Sequence, residues 1–249
     1  MKSPNAAESH GYHKKLISSM GKHYYTKEET SRVVFLLDEL KRRGVSNLER
    51  FESKLTDYIP QQEQFGDTRL EGDTALIFAL NEFGVTFYPC GSRGADLEVL
   101  WQGYRFFAEV SRFREDYDTR AKLEKGDEID GQELLVPYGR GEKDVEAFHS
   151  KILDEAAQLP GNSIGLVFLR SDNCRMEDID YEQTVTYLEE QVSQNNTLKR
   201  LSGVLFYSGV VSLRSGKRSY LWRNPQAGNQ IDDKLCKKLV MLKRDNIFA

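Results

Sequence analysis

Apolar and polar positions alternate along this chain in two distinct rhythms, and they divide it into helical and sheet-forming stretches. "SRVVFLLDELKRRG" carries apolar residues at helical spacing, with Ser31 placed to cap the helix and Gly44 to end it. "NLERFESKLTDYIP" repeats the pattern, with Asn47 as cap and Pro60 as stop. Together they predict a helical hairpin over 31–60 that packs onto a core further along. A third helix is predicted over "RLEGDTALIFALNEFG". Leu76, Ala79, Leu80 and Phe83 form its buried stripe, Gly72 weakens its first turn and Gly84 ends it.

"VTFYP" reads as a strand, and "GADLEVLWQGYRFFAEVSRF" as two apolar runs about a Gln102-Gly103 turn. "DVEAFHSKILDEAAQLP" is an amphipathic helix stopped by Pro160. "SIGLVFLR" is apolar throughout, which predicts a central strand covered on both faces. "DIDYEQTVTYLEEQVSQ" reads as another helix. "LSGVLFYSGVVSL" and "KRSYLWRNP" read as strands turning at Arg214-Ser215-Gly216, and "DDKLCKKLVMLKRD" as a terminal helix. Helices and strands alternate without internal repeat, which predicts one α/β domain over 61–249 with helices on both sheet faces.

Two stretches lack periodicity. Residues 1–30 are polar, with His10, His13 and His23 scattered among Lys and Tyr, and predict a flexible arm rather than a metal site. Residues 115–144 are highly charged and glycine-bearing, and predict a long insertion or mobile loop. They contain no dinucleotide-binding or P-loop glycine pattern.

Within the hairpin, each run carries acids that do not suit a buried strand: Asp96 and Glu98 in the first, Glu109 in the second. Residues two apart on a strand share a face, so Asp96 goes with Glu98 and Glu109 with Ser111. Counting outward from the Gln102-Gly103 turn, Asp96 falls opposite Glu109, where like charges repel. A hard divalent cation between them removes the repulsion. The competing account pairs Glu109 with Arg105, Arg93 or Lys151 in a partly buried ion pair and leaves Asp96 to cap a turn. Glu98 reads as a solvated or secondary acid, and Glu82 as surface.

The helix with its acid, the strand and "GADLEV…FFAEVSRF" resemble the PD-(D/E)XK nuclease superfamily over roughly residues 65–170. The resemblance implies a restriction-endonuclease-like mixed sheet flanked by helices, and a site binding Mg2+ (or Mn2+) through Glu71, Asp96 and Glu109. Ser111 stands where the superfamily places its lysine, and a hydroxyl does not stabilise charge as an ammonium does. Arg112 and Arg114 turn to the opposite face by strand period. In that superfamily the lysine can migrate to the following helix, so the resemblance implies Lys151 as the substitute, and it shares one helical face with Glu155 and Gln158. The implied activity is hydrolysis of phosphodiester bonds in DNA or RNA, in restriction, repair or phage defence. The alternative is a nuclease-like fold that has lost catalysis and serves as a binding or assembly module.

Charge adds a constraint on partners. The 249 residues hold 35 Lys+Arg against 39 Asp+Glu, a net charge of −4, so nucleic-acid binding must come from a local patch. "RSGKRSYLWR" is the best such patch, with Lys217, Arg218 and Arg223 as expected phosphate contacts, although a solvated hairpin is the simpler account. Trp222, Arg223 and Asn224 either clamp a nucleic-acid backbone or, the favoured account, cover a sheet edge. Cys90, Cys174 and Cys236 show no zinc spacing and predict reduced thiols. "MKSPNAAESHGYHKK" has no signal-peptide core, and the longest apolar runs fall short of a membrane span, so a cytoplasmic protein without a membrane partner is expected. A homodimer is compatible with this reading. His149 is the one histidine within the core and no GxSxG elbow appears, which argues against a hydrolase triad.

Overall fold

The computed structural model describes residues 13–23, 25–88, 94–112, 142–171, 178–208 and 219–242. In chain order the elements are α1 (Lys14–Met20), α2 (Lys27–Arg42), α3 (Leu48–Tyr58), α4 (Gln62–Leu80), β1 (Gly84–Phe87), β2 (Leu97–Trp101), β3 (Tyr104–Arg112), α5 (Glu142–Gln158), β4 (Ile164–Ser171), α6 (Asp178–Val192), a 3₁₀ turn (Asn196–Arg200), β5 (Gly203–Ser208), β6 (Ser219–Arg223) and α7 (Asp233–Val240). The strands form one open mixed sheet in the order β1-β2-β3-β4-β5-β6. β1, β2 and β3 run as an antiparallel meander, β3, β4 and β5 are parallel, and β6 returns antiparallel to β5.

Strand alternation divides the core in two. On one face Leu97, Val99, Phe106, Ala108 and Phe168 pack against helices α2, α3 and α4. On the other, Phe107, Val167 and Leu169 pack against Ile152 and Ala156 of α5 and Leu188 of α6. β4 is paired on both sides, and Leu166 to Leu169 are fully buried, as its unbroken apolar run predicts. Among the described residues no helix is long and apolar enough to cross a membrane.

The N-terminal region departs from the sequence expectation. Lys14–Met20 is a helix, not part of an arm, because Leu16 and Met20 one turn apart insert into the core and the buried His13 bonds Glu52 at 2.9 Å. α2 starts at Lys27 rather than after Ser31. Thr26 and Glu29 form a capping box, and the Ser31 hydroxyl donates to Lys27 O within the helix. Asn47 does precede α3 but does not cap it; it adopts φ 59° and donates its side-chain amide to Phe87 O. The residues expected to form the 115–144 insertion lie almost wholly outside the described residues, as do those of the 214–216 turn.

α4 departs furthest. It begins at Gln62, a full two turns before the predicted start, and is buried almost all round from Leu70 to Ala79. It lies between the sheet and the α2–α3 hairpin, so a one-sided stripe is not what the position demands. Gly72 sits mid-helix, where a β-carbon would fall 2.3 Å from Phe51 Cζ and 3.0 Å from Leu36 Cδ2. Its missing side chain is what lets α3 and α2 close onto α4. Gly72→Ala gains up to about 1 kcal/mol of helix propensity but overpacks this contact at about 1–3 kcal/mol. The expected outcome is net destabilisation, read as a lower urea midpoint at unchanged slope; a midpoint at or above wild type would show that the helices are not in close contact here.

Candidate active site

The β2–β3 turn sets the site. Gln102 (φ 45°) and Gly103 (φ 89°) both take left-handed conformations, as a tight two-residue hairpin turn requires. Trp101 then pairs with Tyr104 and Leu97 with Ala108, so the next pair outward is Asp96 with Glu109. Asp96 is fixed where β1 and β2 end: its carbonyl accepts from Tyr88 N–H at 2.9 Å, and its Oδ2 accepts from Val110 N–H at 2.9 Å. Glu109 lies on β3 in register with Val167 of β4 and is 3% exposed. Burial first, then the charge of Asp96 and a hydrogen bond with it, hold the Glu109 carboxyl far above the usual carboxylate range. Holding the Glu109 carboxyl protonated relieves the like-charge repulsion that its place opposite Asp96 would otherwise create.

Neither Glu109 Oε1 nor the Ser111 hydroxyl, 1% exposed on the same strand face, has a hydrogen-bond partner among the described residues. Unsatisfied polar atoms at such depth are costly, and they mark a place built for something other than packing.

Glu71 enters from α4, buried among the helices. Lys54 of α3 meets it, with Nζ 2.8 Å from each Glu71 oxygen and 3.5 Å from Asp96 Oδ1. Burial and the Asp96 charge raise the Glu71 carboxyl, and the ammonium opposes them. Contact at equal distance with both oxygens is that of an ionised pair. The ammonium at the acids is thus Lys54, which carries no sequence signal: it reads as an ordinary polar-face residue of an amphipathic helix.

That position is not taken by Lys151, whose charge instead bears on Glu155 of its own helix. On α5, Gln158 Nε2 donates to Glu155 Oε2 at 2.8 Å, and the Glu155 carboxyl is pushed up to about 7 by burial and by Asp96, against the charge of Lys151. Glu155 is the third carboxyl, after Glu109 and Glu71, that feels Asp96. An open cleft of about 810 Å³ reaches the acids between α3 and the sheet edge, with Arg50, Lys54, Tyr58, Glu71, Tyr88 and Asp96 in its lining.

Other candidates are engaged elsewhere. Glu98 pairs with Arg105 at 2.7 Å, which removes Arg105 as a partner for Glu109, and Glu82 is exposed on the surface. Arg112 turns to the opposite face and meets Asp67 of α4 at 3.5 Å. Arg223 bonds Asp233 at 2.7 Å, Trp222 is buried in the second core, and the buried Asn224 donates to Leu198 O and Leu201 O. That arrangement covers a sheet edge. Lys217 and Arg218 lie outside the described residues. His149 stacks on Tyr187 at 3.9 Å, and burial pushes its imidazole down to about 4.

As they stand, no three His, Cys, Asp or Glu side chains among the described residues are gathered to hold a metal ion. The donor types of Asp96 and Glu109 nevertheless suit a hard cation, and the unpartnered Glu109 oxygen supplies a free acceptor. Comparison with known proteins finds no matching family model, curated protein or solved structure.

The raised Glu109 carboxyl makes stability depend on pH. Glu109 ionises near its ordinary value in the unfolded chain and stays protonated in the folded one. The folded state therefore holds the extra proton, and stability falls as pH rises above about 4.5 by up to about 1.4 kcal/mol per unit for each such group. Glu155 adds to the slope only up to about 7. Melting curves in chelator from about pH 5 to 9 should fall steadily, and Glu109→Gln, which keeps a donor toward Asp96 but has no proton to lose, should flatten them. An unchanged slope in that variant would mean that Glu109 is already ionised.

Proposed function

We propose that this chain is a divalent-cation-dependent nuclease of the PD-(D/E)XK type, hydrolysing phosphodiester bonds of DNA or RNA. The observation that carries the reading is Asp96 held opposite a buried, incompletely satisfied Glu109 at the open end of the β2–β3 hairpin, with Glu71 of the preceding helix linked to Asp96 through the ammonium of Lys54. The order of helix, three-stranded meander, helix and parallel strand supports a restriction-endonuclease-like fold.

Asp96 and Glu109, joined by Glu71, would hold Mg2+ or Mn2+, which polarises a phosphate and makes bound water more acidic. Glu109 would have to lose its proton to hold the cation, since a ligating carboxyl must be ionised. The Ser111 hydroxyl, unpartnered beside Glu109, is placed to orient a water. Glu155, pushed up to about 7 and oriented by Gln158, exchanges a proton near neutral pH. Lys151 on the same helix provides an ammonium to stabilise charge on the phosphate.

A second reading has its own support. Lys54 already places a positive charge against Glu71 and Asp96, as a retired nuclease serving as a binding or assembly module would need. Cleavage of single- and double-stranded DNA and RNA in manganese, magnesium and chelator separates the two. The nuclease reading expects cation-dependent cleavage that Asp96→Asn lowers by at least about a hundredfold. Wild type that cuts nothing, with cutting switched on by Ser111→Lys, would establish the retired form.

A further inference from the structure

Lys54 raises a question the proposed reaction leaves open. Its ammonium lies 2.8 Å from both Glu71 oxygens and 3.5 Å from Asp96 Oδ1, within the set of acids assigned to the cation. An ammonium and a divalent cation cannot share those oxygens, because their mutual repulsion at contact distance in a poorly solvated site is severe. We infer that Lys54 is an exchangeable counter-cation of this site, docked on Glu71 and Asp96 when no metal is bound and expelled into the cleft when a divalent cation enters.

Several features of the fold suit such exchange. The lysine stem is long and unbranched, and the Lys54 side chain is 25% exposed, so it has somewhere to go. The cleft of about 810 Å³ opens beside it, and Asp57, one turn further along α3, lines the same cleft and offers a second carboxylate. Deeper in, Glu109 Oε1 and the Ser111 hydroxyl are almost wholly buried, without hydrogen-bond partners among the described residues. The docked ammonium satisfies the outer acids and leaves the inner oxygens unserved, which a cation bridging Asp96 and Glu109 would correct. Among the described residues the acids are not gathered around one point while Lys54 is docked. A ligand shifts such an equilibrium only through its unequal affinity for the two arrangements, so removing the competing charge must strengthen cation binding.

The inference rests on the nuclease reading for its cation but is tested without cleavage. Calorimetry with Mn2+ on the chelator-treated full-length chain at about pH 8 would compare wild type with Lys54→Met, which keeps the stem and removes the charge. At least tenfold tighter binding by the variant is expected. In wild type, an amine-acylating reagent followed by mass spectrometry should label Lys54 severalfold faster in saturating Mn2+ than in chelator; this measurement decides the matter alone if Lys54→Met does not fold. Equal or weaker affinity in a folded Lys54→Met overturns the inference whatever the labelling shows, and so does wild-type labelling that manganese does not change. Tighter binding by the variant without cleavage by wild type would remove the nuclease reading and leave the exchange standing. Cleavage by wild type with unchanged affinity in the variant would do the reverse. Absence of Mn2+ binding in both proteins overturns both.

Discussion

A carboxylate placed in a protein interior must be neutralised or bonded, and the structure around this site follows from meeting that demand three times. Asp96 is held by the Val110 N–H, which a strand-end position leaves available. Glu109 keeps its proton, because burial and the neighbouring Asp96 make ionisation too costly. Glu71 takes the ammonium of Lys54. Backbone dipole, proton and charged side chain are three different answers to one electrostatic problem. Each fits the element that supplies the acid.

These answers depend on helix packing far from the acids. Lys54 reaches Glu71 because α3 lies close against α4, and that closeness depends on Gly72, whose absent β-carbon admits Phe51 and Leu36. Phe51 also stacks on Phe87 at 4.4 Å, tying α3 to the end of β1 beside which Asp96 stands. The N-terminal helices are thus part of the site rather than an appendage to it. One glycine, one aromatic stack and one tight turn together bring three separated chain segments to the same cleft.

What the sequence disclosed is what local rules control. The Gln102-Gly103 turn fixes the register of its two strands, so the pairing of Asp96 with Glu109 and the common face of Glu109 and Ser111 were legible from counting alone. The central position of β4 was legible from its apolar run. Burial on all sides hid α4: its first two turns, with Phe65 and Thr68 buried among polar neighbours, carry no clean stripe, and its glycine resembled a weakness. The helix Lys14–Met20 has too few apolar positions to show a period, yet docks through two of them and His13. Lys54 was invisible for a different reason. Nothing local distinguishes a lysine that solvates a helix face from one that crosses to a buried acid on another helix, since the difference lies wholly in its partner.

The same reasoning sets the order in which the site can gain or lose positive charge. Glu71 and Asp96 lie toward the cleft with the partly exposed Lys54 side chain as counter-charge, while Glu109 lies deeper with only a proton. On the proposed reading, a cation arriving from the cleft would meet the ammonium first and the Glu109 proton second. Its binding would therefore displace a residue before it displaces a hydrogen ion, and both displacements would oppose it. An affinity reduced twice over is weak at low pH and in the absence of a further negative charge in the cleft. A phosphate brought alongside would supply that charge and give the displaced ammonium a new partner. By linkage, the site would then hold its cation best when the anion is also present, which couples two ligands through one lysine without requiring any movement of the sheet.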